Sequence, residues 1–301
     1  MAYRNLLIAN EATLTLKSKQ LCIKTEAISD TVPIEDIDTI LIESRQCVLS
    51  AALLGALAEN GTVVFVCDKY HMPCGVLLPY LQHSRQHEVA KRQLEMTMPA
   101  KKQLWKQVVA AKIDNQARCL TFCDNDRIAQ DLERIAKNVK SGDSGYAESH
   151  ASAKYFPALF GKGFTRSNTY HNINAWLNYG YAIVRGCVAR TLAVYGFFQT
   201  FGIHHHSRLN QFNLADDFME PFRPLVDLFT AQNAVADNNL TPTGKKQLYS
   251  LVNHNMLVGG KRYALTYAIE LMVQSFSSVL MDKRKDLLLP QLMELEQHAY
   301  E

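Results

Sequence analysis

The 301-residue chain lacks strong net charge, long apolar runs and paired-cysteine motifs, and each shortage excludes a class of protein. A formal charge of +3 at pH 7 is too small to mark the whole chain as a nucleic-acid binder. No apolar stretch approaches the roughly 20 residues of a spanning helix. Met1–Asn10 holds no apolar segment long enough for a secretory signal. The seven cysteines, Cys22, Cys47, Cys67, Cys74, Cys119, Cys123 and Cys187, are odd in number and form no C-x-x-C pair. Cys119 and Cys123 lie on one expected helix without a second ligand pair, so cysteine zinc sites are not expected. Reduced thiols in a cytosolic compartment are. What is there, 48% hydrophobic and 20% charged residues, is the composition of a globular protein. The length is about twice that of one ordinary domain, so one large or two unequal domains are expected.

Charge and periodicity both change near residue 75. Residues 1–75 carry 6 basic and 9 acidic side chains, whereas 76–301 carry 26 and 20. The second part is therefore the better candidate for an anionic partner. The first part reads as strands at Arg4–Ala9, Thr13–Lys17, Gln20–Thr25, Asp38–Ile42 and Thr62–Cys67, with turns at Asn10-Glu11 and Ser18-Lys19. A short helix over Ala51–Glu59 starts at the cap Ser50. From about Ser84 the spacing is helical, in Gln86–Met96, Lys101–Thr121, Arg127–Lys137, Asn172–Thr200, Lys246–His254 and Lys261–Met281. Residues 231–246 read as a long loop and 282–301 as a partly ordered tail. The expected fold is α+β: a small β-rich domain over 1–75, a linker over 76–83, and a larger all-α domain over 84–301.

Three polar places interrupt the helical part. In Asn213–Asp227 a helix would gather Leu214, Phe218, Phe222, Leu225 and Phe229 within an arc of about 80°. Asn213, Asp216, Asp217, Glu220, Arg223 and Asp227 fall on the opposite half, which is either a solvated face or a site. Pro221 and Pro224 each remove a backbone donor and open the helix there. Arg223 has Asp216 and Asp227 as candidate partners on its face. Upstream, Gly202-Ile203-His204-His205-His206 can send one or two imidazoles towards a shared ion. Glu148 lies beside the stripe Ala147, Ala151, Tyr155 and Ala158, whose small residues admit a neighbouring helix. One imidazole and two carboxylates from separate segments suit Mg²⁺ or Mn²⁺. Such an ion can stabilise the attacking and leaving oxygens at a phosphodiester.

Taken together these segments resemble the CRISPR-associated integrase family, the universal CRISPR endonuclease of spacer acquisition. The resemblance is carried by Glu148-x-x-Ala151-x-x-x-Tyr155-Phe156, by Asn174-x-x-Leu177-Asn178-Tyr179-Gly180-Tyr181, and by Gly202-x-x-His205. Its most specific part is Leu214-Ala215-Asp216-Asp217-Phe218-Met219-Glu220-Pro221-Phe222-Arg223-Pro224. It also takes in Leu14-x-Leu16, Leu21, Pro33–Ile37 and the strand after Gly61, and covers about residues 3–280. The wording of 213–223 is most similar to the branch found in type II CRISPR systems.

The resemblance implies a metal site of Glu148, His205 and Glu220, which are also the catalytic residues, with Asp217 as a secondary acidic position. It implies Mg²⁺ or Mn²⁺, a prokaryotic cytoplasmic setting and no membrane. The implied partners are double-stranded DNA (the prespacer and the CRISPR repeat), a second copy in a homodimer, and a small second adaptation protein in a heterohexamer. The implied reaction inserts short duplexes into a CRISPR array by attack of a 3′-hydroxyl on a phosphodiester. Two alternatives stand beside it: a DNA-binding scaffold without catalysis, and a metallohydrolase of small phosphate esters.

Overall fold

The computed structural model describes residues 3–79, 86–168, 172–234 and 240–299. These fall into two compact units, one over residues 3–79 and one over 86–299. Residues 80–83 of the expected linker lie outside the described residues.

The first unit holds two four-stranded sheets and one helix. Strands β1 (Arg4–Ile8), β2 (Thr13–Lys17), β3 (Gln20–Lys24), β4 (Ser29–Pro33), β5 (Ile37–Ile42) and β6 (Val48–Leu49) precede helix α1 (Ala51–Asn60). Strands β7 (Val63–Cys67) and β8 (Pro73–Leu77) follow it. One sheet has the order β1-β5-β7-β8, the other β4-β3-β2-β6. Ser18 and Lys19 take positive φ in the β2–β3 hairpin, as a tight two-residue turn requires. Asn10-Glu11 makes no such hairpin, because β1 pairs in parallel with β5 in the other sheet. Ser50 Oγ accepts the Leu53 N–H at the start of α1, and Gly61 closes it at φ 73°. The core joins Leu14, Leu21, Ile37, Ile40, Leu53 and Leu57. Residues 76 and 77, expected in the linker, belong to the edge strand β8, where Pro73 is tolerated as the first residue.

The second unit is built from α2 (Gln86–Glu95), α3 (Met98–Thr121), α4 (Asp126–Lys137), α5 (Ala147–Phe160) and α6 (Asn172–Val194). It continues with α7 (Asn213–Met219), α8 (Arg223–Asn233), α9 (Pro242–Tyr249) and α10 (Leu265–Leu280). Helix α6 is buried along nearly its whole length, including Leu177, Tyr179, Val184, Val188 and Leu192. A Cβ at Gly180 would stand 3.2 Å from one Val226 methyl and closer to the other, so this glycine sets how near α8 comes to α6.

Four sequence expectations need correction here. Helix α6 ends at Val194, ahead of Gly196 at φ 79°, and does not run on to Thr200. The stretch before α10 is a hairpin of β9 (Asn255–Val258) and β10 (Lys261–Ala264), so the domain is not purely helical. Residues 242–249 are helical because Thr241 Oγ1 caps Gly244 N–H and Pro242 fits the first turn; residues 235–239 of that expected loop lie outside the described residues. The segment 282–299 is packed, with Leu287 and Leu292 buried and bridges at Leu257–Gln291 and His254–Gln297.

Candidate active site

Helix α3 is the platform of the site. Trp105, Val108, Val109, Lys112 and Gln116 follow helical spacing along one buried face of it. A lysine there needs compensating charge, and two carboxylates supply it. Lys112 Nζ lies 2.6 Å from Glu148 Oε1 and 2.5 Å from Glu220 Oε2. Glu148 comes from the first turn of α5, which Asp143 caps by accepting the N–H groups of Ala147 (2.7 Å) and Glu148 (3.1 Å). Glu220 opens a single 3-10 turn between α7 and α8. Pro221 and Pro224 break the expected continuous helix into these three pieces. The carbonyl of Pro221 accepts Asn115 Nδ2 at 2.7 Å, which fastens the break to α3.

The acidic stripe of α7–α8 is not a solvated face. Asn213, Asp217, Glu220 and Asp227 are buried, and each carboxylate of the stripe has its own partner. Asp216 pairs with Arg185 at 2.7 Å. Asp227 accepts the Tyr155 hydroxyl at 2.9 Å and the Tyr181 hydroxyl. Arg223 pairs with Glu220, Nε to Oε1 at 2.8 Å, rather than with the sequence candidates Asp216 and Asp227. Spacing alone misled here, because those two acids are satisfied from α6 and α5. Burial raises the Glu220 pKa, but Arg223 and Lys112 outweigh it and bring it down to about 2. For Asp227 burial wins over the two tyrosine hydrogen bonds, and its pKa rises to about 6.

The histidine loop is wrapped around Asp217, which is fully buried. Asp217 accepts the backbone N–H groups of Ile203 (2.7 Å), His204 (3.1 Å) and His205 (3.0 Å). A Cβ at Gly202 would stand 2.6 Å from Asp217 Oδ2, so only glycine lets the loop close this tightly. His205 Nδ1 lies 2.7 Å from Asp217 Oδ1. With that carboxylate as acceptor, Nδ1 carries the proton and Nε2 of the neutral ring keeps its lone pair. The Asp217 hydrogen bond raises the His205 pKa against burial. His204 instead stacks on Trp105 with ring centres 4.1 Å apart, and His206 Nδ1 bonds to the His204 carbonyl.

Among the described residues no three His, Cys, Asp or Glu side chains are spaced to hold a metal ion. The Lys112 ammonium lies between the two carboxylates and serves as their cation. Glu220 Oε2 is buried in an ion pair with Lys112 but receives no well-directed hydrogen bond. The two glutamates, already gathered on one positive charge, are hard oxygen donors of the kind Mg²⁺ or Mn²⁺ takes, and Asp217 orients the His205 imidazole as a candidate nitrogen donor. Asp217, a secondary candidate ligand from sequence, has both oxygens engaged by the histidine loop and acts on His205.

Two recesses flank the carboxylate pair. One, of about 190 Å³, is lined by Lys112, Arg166, Tyr181, Glu220, Arg223 and Asp227. In it Arg166 and Arg223 lie over the Tyr181 ring at 5.3 and 4.5 Å. The other, of about 440 Å³, is lined by Asp143, Tyr146, Glu148, Ser149, Ser152 and His204 among others. Sequence reading missed Lys112, Trp105 and Asp143. Lys112 did leave a signal: it falls in register with the apolar residues of α3, where a surface lysine would not.

The chain matches the family model of CRISPR associated protein Cas1 over residues 6–247. It is 44% identical to the CRISPR-associated endonuclease Cas1 of Neisseria meningitidis serogroup C, with both chains covered completely. The fold is similar to a casposase bound to integration product, at 20% identity, covering 95% of this chain and 92% of that one with a TM-score of 0.78. It is also similar to a chain of a Cas6-RT-Cas1–Cas2 complex, at 16% identity, covering 96% and 36% with a TM-score of 0.72. At those identities the two structures share the fold with this chain.

Proposed function

Because this chain belongs to the CRISPR-associated Cas1 family, we propose that it is a divalent-cation-dependent DNA integrase and endonuclease of spacer acquisition, of the type II branch. It inserts short double-stranded DNA into a CRISPR array. The 3′-hydroxyl of the incoming duplex attacks a phosphodiester at the repeat boundary. One phosphodiester forms as the other breaks, and the 3′-oxygen of the cut repeat strand leaves. Water in place of the hydroxyl gives hydrolysis. The observation that carries this reading is the convergence of Glu148 and Glu220, from separate helices, within 2.6 Å of one positive charge.

Glu148, Glu220 and His205 would hold the Mg²⁺ or Mn²⁺ ion, which when bound supplies charge neutralisation at the phosphate. The chain's own groups do the rest. Asp217 fixes the His205 tautomer. Arg223, held by Glu220, offers positive charge to phosphate oxygens and is in place before DNA arrives, which is what electrostatic catalysis requires. Asp143 holds the first turn of α5, and with it Glu148.

The proposed partners are prespacer and repeat DNA, a second copy of the chain, and a small second adaptation protein in a heterohexamer. The setting is the prokaryotic cytoplasm; no described helix is long and apolar enough to cross a membrane.

Joining of labelled short duplexes to a supercoiled plasmid, with and without EDTA, tests the proposal. Glu148→Ala, His205→Ala and Glu220→Ala are each expected to abolish joining, as is EDTA. Normal joining by all three variants would refute the assignment. A scaffold without catalysis is the second reading, because Lys112 already pairs with both carboxylates. That reading requires duplex binding that ignores EDTA and no joining by the unaltered protein.

A further inference from the structure

The larger recess beside Glu148 has a character that phosphate binding does not explain. No Lys or Arg is among its lining residues, and both Asp143 and Glu148 are. Lys102 and Lys140 pass their stems close to Gly142 and Gly145 without lining it. A phosphate would meet negative charge there, so the recess suits a neutral group with polar edges. Its walls agree. Ser149 and Ser152 stand on one helical face of α5 and offer hydroxyls that donate or accept. His204 is held against Trp105 by parallel stacking, which makes that wall rigid.

Tyr146 completes the recess and is otherwise hard to account for. Its side chain is 72% exposed, two residues before Glu148, at the point where α5 begins. Its backbone takes φ 54°, a left-handed conformation that an L-residue with a bulky side chain adopts at a cost. Asn or Gly would fill that position more easily, and no packing of the ring against the core repays the strain. An exposed aromatic ring facing a recess with hydroxyl edges and no lining cation is the chemistry of a stacking platform for a nucleobase.

We propose that Tyr146, Ser149, Ser152 and His204 form a subsite for one unstacked nucleobase of the DNA strand whose phosphate lies at Glu148 and Glu220. The base stacks on the Tyr146 ring, and its edge faces the serine hydroxyls. This inference rests on the DNA reading of the site and adds to it a contact with the base rather than the backbone.

Fluorescence anisotropy on the full-length protein in Mg²⁺ tests it. The probes are labelled short duplexes with a single-stranded 3′ extension and a 3′-deoxy end, so that no joining occurs. Each extension nucleotide is made abasic in turn. For the unaltered protein, one abasic position is expected to weaken binding by about tenfold, the effect of losing one base–aromatic stack. Tyr146→Asn removes the ring and accepts positive φ; it is expected to lose about tenfold on the intact probe and to ignore the abasic change. Tyr146→Phe keeps the ring and should bind as the unaltered protein does. If Tyr146→Asn binds the intact probe normally, or still senses the same abasic position, the subsite is refuted while the integrase reading stands. If the unaltered protein binds none of the probes, both readings fall together.

Discussion

The two recesses beside the Glu148–Glu220 pair differ in charge though each is lined by one of its carboxylates. On one side Lys112, Arg166 and Arg223 crowd around Tyr181 and Glu220; on the other, serines, a tyrosine and a histidine leave Glu148 without a lining cation. A DNA strand has the same division, with charged phosphates on one edge and neutral bases on the other. On the proposed reading the contrast orients a strand before any chemistry: the side lined by cations takes backbone, and the side without them takes base. It also separates burial from exposure, since the Glu220 side chain is 5% exposed and that of Glu148 31%.

That asymmetry gives the largest expected effect. Glu220→Ala leaves Arg223 without its carboxylate and the buried Lys112 with Glu148 alone, so it should cost about 3–5 kcal/mol in urea unfolding. It should also lower joining by about a thousandfold or more. Glu148→Ala should cost far less stability while losing as much joining. Equal stability losses from the two would erase the distinction between a buried and an open carboxylate.

Next in size is Lys112→Met, which removes the shared cation. In EDTA the variant should lose about 2–4 kcal/mol, because two carboxylates then face each other and one of them is buried. Mg²⁺ should restore much of that loss by binding the folded state. The unaltered protein, whose ammonium competes for the same oxygens, should gain less from Mg²⁺. A melting series in EDTA and Mg²⁺ reads both, and an identical Mg²⁺ response in the two proteins would contradict the competition.

Asp227 gives a pH signature on the cationic side. Its pKa is raised to about 6 in the fold, so the folded state holds the proton more tightly than the unfolded chain does. The resulting stability is fully present below the ordinary carboxylate pKa, near 4. It is lost as pH rises through about 6. The loss is about 3 kcal/mol at most. Chemical unfolding of the unaltered protein and of Asp227→Asn from pH 4 to 7 should show this downward trend as the difference between them. A difference that does not change with pH would mean that Tyr155 and Tyr181 hold the ionised form.

The smallest effect separates the recesses most cleanly. Arg166→Ala should reduce the salt dependence of duplex binding by about one unit of slope in log K against log salt. Ser149→Ala should leave that slope unchanged. A change of slope at Ser149, or none at Arg166, would reverse the assignment of backbone and base.

Much of this was legible in the sequence because the chemistry sits in short segments. The α7–α8 stripe, with two prolines inside an amphipathic pattern, already marked a break that presents side chains. Glu148 and His205 stood out by their place in motifs, not by periodicity. Tertiary pairing was hidden. Arg223 had two acids at helical spacing and chose a third, because Tyr155, Tyr181 and Arg185 from other helices satisfied the first two. The β9–β10 hairpin was readable: Gly259-Gly260 stand at φ 58° and 79°, a common two-residue turn signature after the apolar Met256-Leu257-Val258, but the helical spacing downstream masked it. The tail looked polar, yet Asn115 fixes it by bonding the Pro290 carbonyl and the Leu292 N–H, contacts that no local pattern records.

If Glu148, His205 and Glu220 share one divalent ion, manganese-edge anomalous diffraction from crystals grown in Mn²⁺ will locate it between them. One peak is expected about 2.1 Å from an oxygen of each glutamate and from His205 Nε2, with the Lys112 amine moved off the pair. Crystals in which Mn²⁺ binds elsewhere, while Lys112 still bridges Glu148 and Glu220, would contradict it.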